Sequence, residues 1–174
     1  MPIRSLGNPS VRYNAVMSKT GVGAEYIYPT FQSNGERGIF FGGSPNVSKD
    51  LIQYITIATT GNATDFGDVD ENIAMAAGMS NNVRGVFGGG YMQSPSEPAK
   101  DFIQYITIAT TGNAQDFGNL TVGRDRAGSV SNITRGCICG GSGRNPSAYK
   151  EDTIDYITIS STGNTSDFGN LTVA

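Results

Sequence analysis

With 15 Asp and Glu against 12 Lys and Arg over 174 residues, the chain carries a net charge of −3 and contains no histidine, a balance that argues against the basic face of a nucleic-acid-binding module. Its 24 glycines, few charges and abundant Ser, Thr and Asn point to turn-rich all-β structure, and the alternating apolar runs set it apart from a disordered polar chain. No stretch of about 18 apolar residues is present to span a membrane, and Met1-Pro-Ile-Arg-Ser-Leu-Gly-Asn-Pro9 lacks the apolar run of a secretory leader.

Residues 1–36 form a first unit, an N-terminal arm, anchor or capping strand with no internal repetition. Gly7-Asn-Pro9 and Lys19-Thr-Gly-Val-Gly23 are turn signals. Ala24-Glu-Tyr-Ile-Tyr-Pro-Thr-Phe31 reads as a strand that ends or bends at Pro29, where the ring removes a backbone donor.

Residues 37–174 repeat. The word Arg37-Gly-Ile-Phe-Phe-Gly-Gly43 returns as Arg84-Gly-Val-Phe-Gly-Gly-Gly90 and Arg135-Gly-Cys-Ile-Cys-Gly-Gly141. A longer word, Ile103 to Gly118, occurs also at Ile52 to Gly67 with one difference and at Ile154 to Gly169 with five. Tyr54, Tyr105 and Tyr156 therefore stand 51 residues apart, a period of the size that marks stacked supersecondary units.

One repeat predicts about four short strands. The run after each arginine is a buried inner strand closed by a glycine pair, where backbones approach closely. In Ile103-Gln-Tyr-Ile-Thr-Ile-Ala109, Ile103, Tyr105 and Thr107 fall on one side and Ile106 and Ile108 on the other, so both sides call for burial. Thr110 to Gly118 reads as a turn, Asn119-Leu-Thr-Val122 as the next strand, and Ala127 to Ile133 as the lead into the following arginine. Cys137 and Cys139 occupy strand positions held by Ile39 and Phe41 in the first repeat, and are read as small core thiols.

Four strands in about 50 residues is the size of a propeller blade. The Arg-Gly-apolar-apolar-x-Gly-Gly word, a variable loop and a Tyr-bearing strand resemble a kelch repeat, with Gly42-Gly43, Gly89-Gly90 and Gly140-Gly141 as the double glycine. The chain has no Trp, and Phe66, Phe117 and Phe168 follow the tyrosines by 12 residues, so the resemblance is a divergent one. The wording Tyr-Ile-Thr-Ile, Thr-Gly-Asn-Ala-x-Asp-Phe-Gly, Leu-Thr-Val and Arg-Gly-apolar-Phe-Gly-Gly is also similar to repeats of marine bacteriophage (cyanophage) virion and tail-fibre proteins. The first resemblance implies kelch-like β-propeller blades and the second a structural virion surface protein, a tail-fibre or capsid-decoration component; with no His, no metal cluster and no unique carboxylate pair, no enzymatic activity is expected. The second also implies other virion proteins as partners, while the loops that differ between copies suit contact with a host surface glycan; the rival is a carbohydrate-binding β-propeller lectin or adhesin.

Three repeats fall short of the four to eight blades of closed propellers, so the expectation is completion by oligomerisation, a six-bladed dimer, or else a three-sided prism within one chain. Asp65, Asp116 and Asp167 occupy equivalent places and are read as turn caps rather than a convergent acid–base pair. Arg37, Arg84 and Arg135 are read as donors to backbone carbonyls or to an acidic neighbour between blades, the alternative being an anion site around a channel. No cofactor is expected; the oxygen-rich loop Thr60 to Asp68 is a weak Ca²⁺ candidate because it lacks repeated acidic ligands. The copies diverge most at Tyr91-Met-Gln-Ser-Pro-Ser-Glu-Pro-Ala-Lys100 and Ser142-Gly-Arg-Asn-Pro-Ser-Ala-Tyr-Lys150, so Tyr91, Met92, Gln93, Arg144, Asn145 and Tyr149 are the candidate binding-loop residues, expected to be exposed.

Overall fold

The structure, a computed structural model, describes residues 36–42, 49–91, 99–143 and 150–172, with the backbone of two short strands at 16–18 and 25–27. Those two, β1 (Val16–Ser18) and β2 (Glu25–Ile27), pair antiparallel with Val16 opposite Ile27. The segment expected to form a strand before Pro29 does so over Glu25–Ile27.

Three antiparallel sheets follow, each built in chain order. The first holds β3 (Arg37–Phe41), β4 (Lys49–Thr56) and β5 (Thr64–Ile73). The second holds β6 (Ala77–Ser80), β7 (Arg84–Gly88), β8 (Phe102–Thr107) and β9 (Gln115–Asn119). The third holds β10 (Gly128–Ser131), β11 (Arg135–Cys139), β12 (Thr153–Thr158) and β13 (Ser166–Asn170). The described residues contain no helix, and they close neither a barrel nor a propeller.

Side-chain chemistry sets the turns. Asn81 accepts from the amides of Val83 and Arg84 at 2.8 Å each, and Asn132 does the same for Thr134 and Arg135, so one polar side chain fixes each hairpin ahead of the arginine. The turn after β8 is shorter than its composition predicts. It ends at Ala114, and Asp116-Phe-Gly118 lies within β9, where the register slips between Ile103–Gly118 and Gln104–Asp116. The extra residue of this bulge is Phe117, which turns into the core. The strand expected over Asn119 to Val122 thus sits over Gln115–Asn119, and the same bulge recurs in the other two sheets.

The glycine pairs mark close approach, as expected. A Cβ on Gly89 would lie 2.4 Å from the Arg124 carbonyl, and one on Gly141 2.5 Å from that of Asp125; both glycines have positive φ.

Two cores lie between the sheets. Ile52, Phe66, Val69, Ile73, Phe87, Ile106 and Ala114 fill the space between the first and second. Met79, Val86, Ile103, Phe117, Leu120, Ile138, Ile157 and Ile159 fill that between the second and third. The central strand β8 is therefore buried on both sides, with Ile103 in one core and Ile106 in the other. The outer sheets do not match that expectation, because each has a single described neighbour: Ile57 is 58% exposed.

Candidate functional site: the seam between sheets

Where two sheets meet, the later one presents its Thr-Gly-Asn turn, here called its leading face, to the Asp-Phe-Gly bulge of the earlier one, its trailing face. At the first seam Gly112 N donates to Phe66 O at 2.7 Å, Ala114 N to Asp68 O at 2.8 Å, and Asp68 N to Asn113 Oδ1 at 3.1 Å. At the second seam Gly163 N donates to Phe117 O at 2.7 Å, Thr165 N to Asn119 O at 2.9 Å, and Asn119 N to Asn164 Oδ1 at 3.0 Å. The two seams are the same structure made twice.

This contact requires the glycine of the bulge. A Cβ on Gly67 would stand 2.4 Å from the Gly112 carbonyl, and one on Gly118 2.4 Å from that of Gly163. At Gly169, on the trailing face of the third sheet, the same atom would meet nothing within 4 Å.

The repeated arginines act across these seams as backbone donors. Arg37 Nη1 donates to Ile108 O at 2.7 Å and Arg84 Nη1 to Ile159 O at 3.2 Å. Their guanidinium groups lie 4.6 Å and 4.5 Å from the ring centres of Tyr54 and Tyr105, and that of Arg135 lies 4.4 Å from Tyr156. The tyrosines in turn meet Phe66, Phe117 and Phe168 edge-on, at 5.9, 6.0 and 6.0 Å between centroids. All nine repeated positions thus form three Arg–Tyr–Phe stacks. Of the three repeated arginines, Arg135 alone has no carbonyl partner among the described residues.

A second layer of polar contacts, not anticipated from the sequence, runs deeper in each seam. Gln104 Nε2 donates to Asp70 Oδ2 at 2.8 Å across the first. The equivalent position in the second holds Asp155, which accepts from Thr121 N at 3.1 Å and Thr121 Oγ1 at 2.8 Å, and forms an ion pair with Arg124. Both charged side chains are fully buried, and Arg124 Nη1 also donates to Thr153 O at 2.8 Å. Arg124 stands where the first repeat has Ile73, and Asp155 where the second has Gln104. That paired departure between copies is the signal by which the ion pair was detectable.

The carboxylates of Asp65, Asp116 and Asp167 are exposed on three different sheets. Asp167 Oδ1 accepts from Gly169 N at 2.9 Å, a local cap; Asp65 and Asp116 make no such side-chain bond among the described residues, a departure from the expected role. Cys137 and Cys139 are free and half-buried. Burial pushes the Cys139 thiol up, the neighbouring Cys137 adds to this, and Arg124 opposes it.

Tyr91, expected to be exposed, is buried: its amide donates to Ala74 O and its carbonyl accepts from Ala74 N, both at 3.0 Å, so it extends the sheet before the loop begins. Met92, Gln93, Arg144, Asn145 and Tyr149 lie outside the described residues. A groove of about 260 Å³ follows the first seam, lined by Arg37, Phe41, Met79 and Phe87 among others; another, of about 150 Å³, lies within the second sheet, lined by Tyr105, Thr107, Thr110 and Asn113.

No protein-family model matches the chain, and no curated protein does. The fold and the seams define an all-β repeat protein, an array of antiparallel sheets joined through one recurring interface.

Proposed function

We propose that this chain is a structural protein of a bacteriophage virion surface, a tail-fibre or capsid-decoration component that works by protein–protein assembly. The observation that carries the reading is the seam: the same turn-on-bulge contact is made twice within the chain, and each half of it is displayed once more on an outer face. Such machinery positions one β-sheet on another. The four-stranded sheets have the strand count and order of propeller blades, and the reading takes them as kelch-like blades of a larger assembly. Virion repeat wording in all three copies supports the setting, and the loops of variable length supply the place for contact with a host glycan.

Immunogold labelling of intact phage particles with an antibody to the folded chain tests this. Label on the tail fibres or capsid surface is the expected result, and particles without label, from a lysate that contains the chain, would overturn it.

A further inference from the structure

The chain presents one leading face and one trailing face that no described residue covers, and the two are complementary. On the first sheet the leading word Ile57-Ala-Thr-Thr-Gly-Asn-Ala63 is identical to Ile108-Ala-Thr-Thr-Gly-Asn-Ala114 of the second, which docks at the first seam. On the third sheet the trailing word over residues 167–173 is identical to Asp116-Phe-Gly-Asn-Leu-Thr-Val122 of the second, which receives the third sheet at the second seam. The middle sheet uses both words at once, so each free word already has its partner demonstrated within the molecule.

The free faces are not adapted to water. Phe168 is 55% exposed where its equivalent Phe117 is 2%, and Leu171 is 39% exposed where Leu120 is 5%. Polar groups match in the same way. Arg135 holds its guanidinium against Tyr156 in the pose from which Arg37 and Arg84 reach a carbonyl of the next sheet. The space over Gly169 is open where Gly67 and Gly118 are each closed by a turn.

We propose that the trailing face of the third sheet binds the leading face of the first sheet of a second copy of this chain. In that contact Arg135 donates to Ile57 O, the amide of Gly61 to Phe168 O, that of Ala63 to Asn170 O, and that of Asn170 to Asn62 Oδ1, each by equivalence with the two internal seams. The ring of Phe168 and the side chain of Leu171 become covered as Phe117 and Leu120 are. The interface is heterologous, so copies add head to tail until the rotation closes a ring or the array extends. This inference rests on the assembly reading above and specifies its partner.

The test uses the whole chain with two exposed substitutions, Ala63→Glu on the leading face and Phe168→Glu on the trailing face. Light scattering of the parent should give multiples of 18.3 kDa that grow with concentration, and each variant alone should be a monomer that keeps the circular dichroism spectrum of the parent and unfolds in one cooperative transition. Mixed in equal amounts, the variants should form a one-to-one heterodimer and nothing larger, because one contributes the intact trailing face and the other the intact leading face. A parent that stays monomeric at every concentration, variants that associate like the parent, or a mixture that stays monomeric would each overturn the proposal. Labelled particles with a monomeric chain would remove this interface and leave the virion reading; head-to-tail assembly with unlabelled particles would do the reverse.

Discussion

Arg84 reaches across the second seam to the carbonyl of Ile159, 3.2 Å away, while its guanidinium rests over the ring of Tyr105. A charged donor on a backbone carbonyl is worth about 1.5–3 kcal/mol, and an exposed ring contact about 0.5–1 kcal/mol. Arg84→Met should therefore lower stability by about 2 kcal/mol. Arg135→Met, which in a monomer removes only ring contacts, should cost about 0.5 kcal/mol. Urea unfolding of both variants at low concentration checks the difference.

Gly118 and Gly169 share a positive φ, +144 and +137, but only Gly118 faces a carbonyl of the next sheet. Alanine at either position carries the backbone strain; at 118 it also forces the Gly163 turn away. Gly118→Ala should destabilise by about 3 kcal/mol and Gly169→Ala by about 1 kcal/mol, the gap measuring the close approach itself. Thermal unfolding of the two variants under identical conditions gives that gap.

The Arg124–Asp155 pair is buried completely, and Arg124 Nε has no hydrogen-bond partner among the described residues. Removing one charge leaves the other uncompensated, so Asp155→Leu should cost about 3–5 kcal/mol. Adding Arg124→Met to it should recover most of the loss, because the first seam is built at the same place around Ile73. A double-mutant cycle by chemical denaturation measures the coupling.

Cys139 is held protonated beyond the ordinary cysteine range by burial and by Cys137. The folded state binds this proton more tightly than the unfolded chain does. The resulting stability is fully present below the unfolded-state pKa and is lost as pH rises through the raised folded-state value. Iodoacetamide labelling followed by peptide mass spectrometry should show Cys139 reacting at higher pH in the native protein than in urea, and Arg124→Met should move the native profile higher still.

The repeat, its period and the inner two strands of each sheet were legible because identical words and strict alternation leave little choice of register. The last strand was misplaced because Asp116-Phe-Gly118 has the composition of a turn; a bulge uses the same residues, and only pairing with Ile103 and Gln104 tells them apart. The arginines were legible as bridging donors but not their acceptors: the sequence left carbonyls and an acidic neighbour both open, and Arg37 and Arg84 reach carbonyls of the next sheet. Tyr91 was misread because local sequence marks the loop that follows, while its burial depends on Ala74, 17 residues earlier. Arg124 and Asp155 compensate one another across 31 residues, so neither is conspicuous alone.

In every sheet the length-variable connection joins the same two strands: β3 to β4, β7 to β8, β11 to β12. Neither word that makes the seams lies in it. The architecture thus separates a grammar that must be kept from a vocabulary free to drift, and insertions of new sequence there would decorate one rim while the stacking rule stayed intact. A lineage, or an engineer, could change what the rim displays without re-solving how the sheets join.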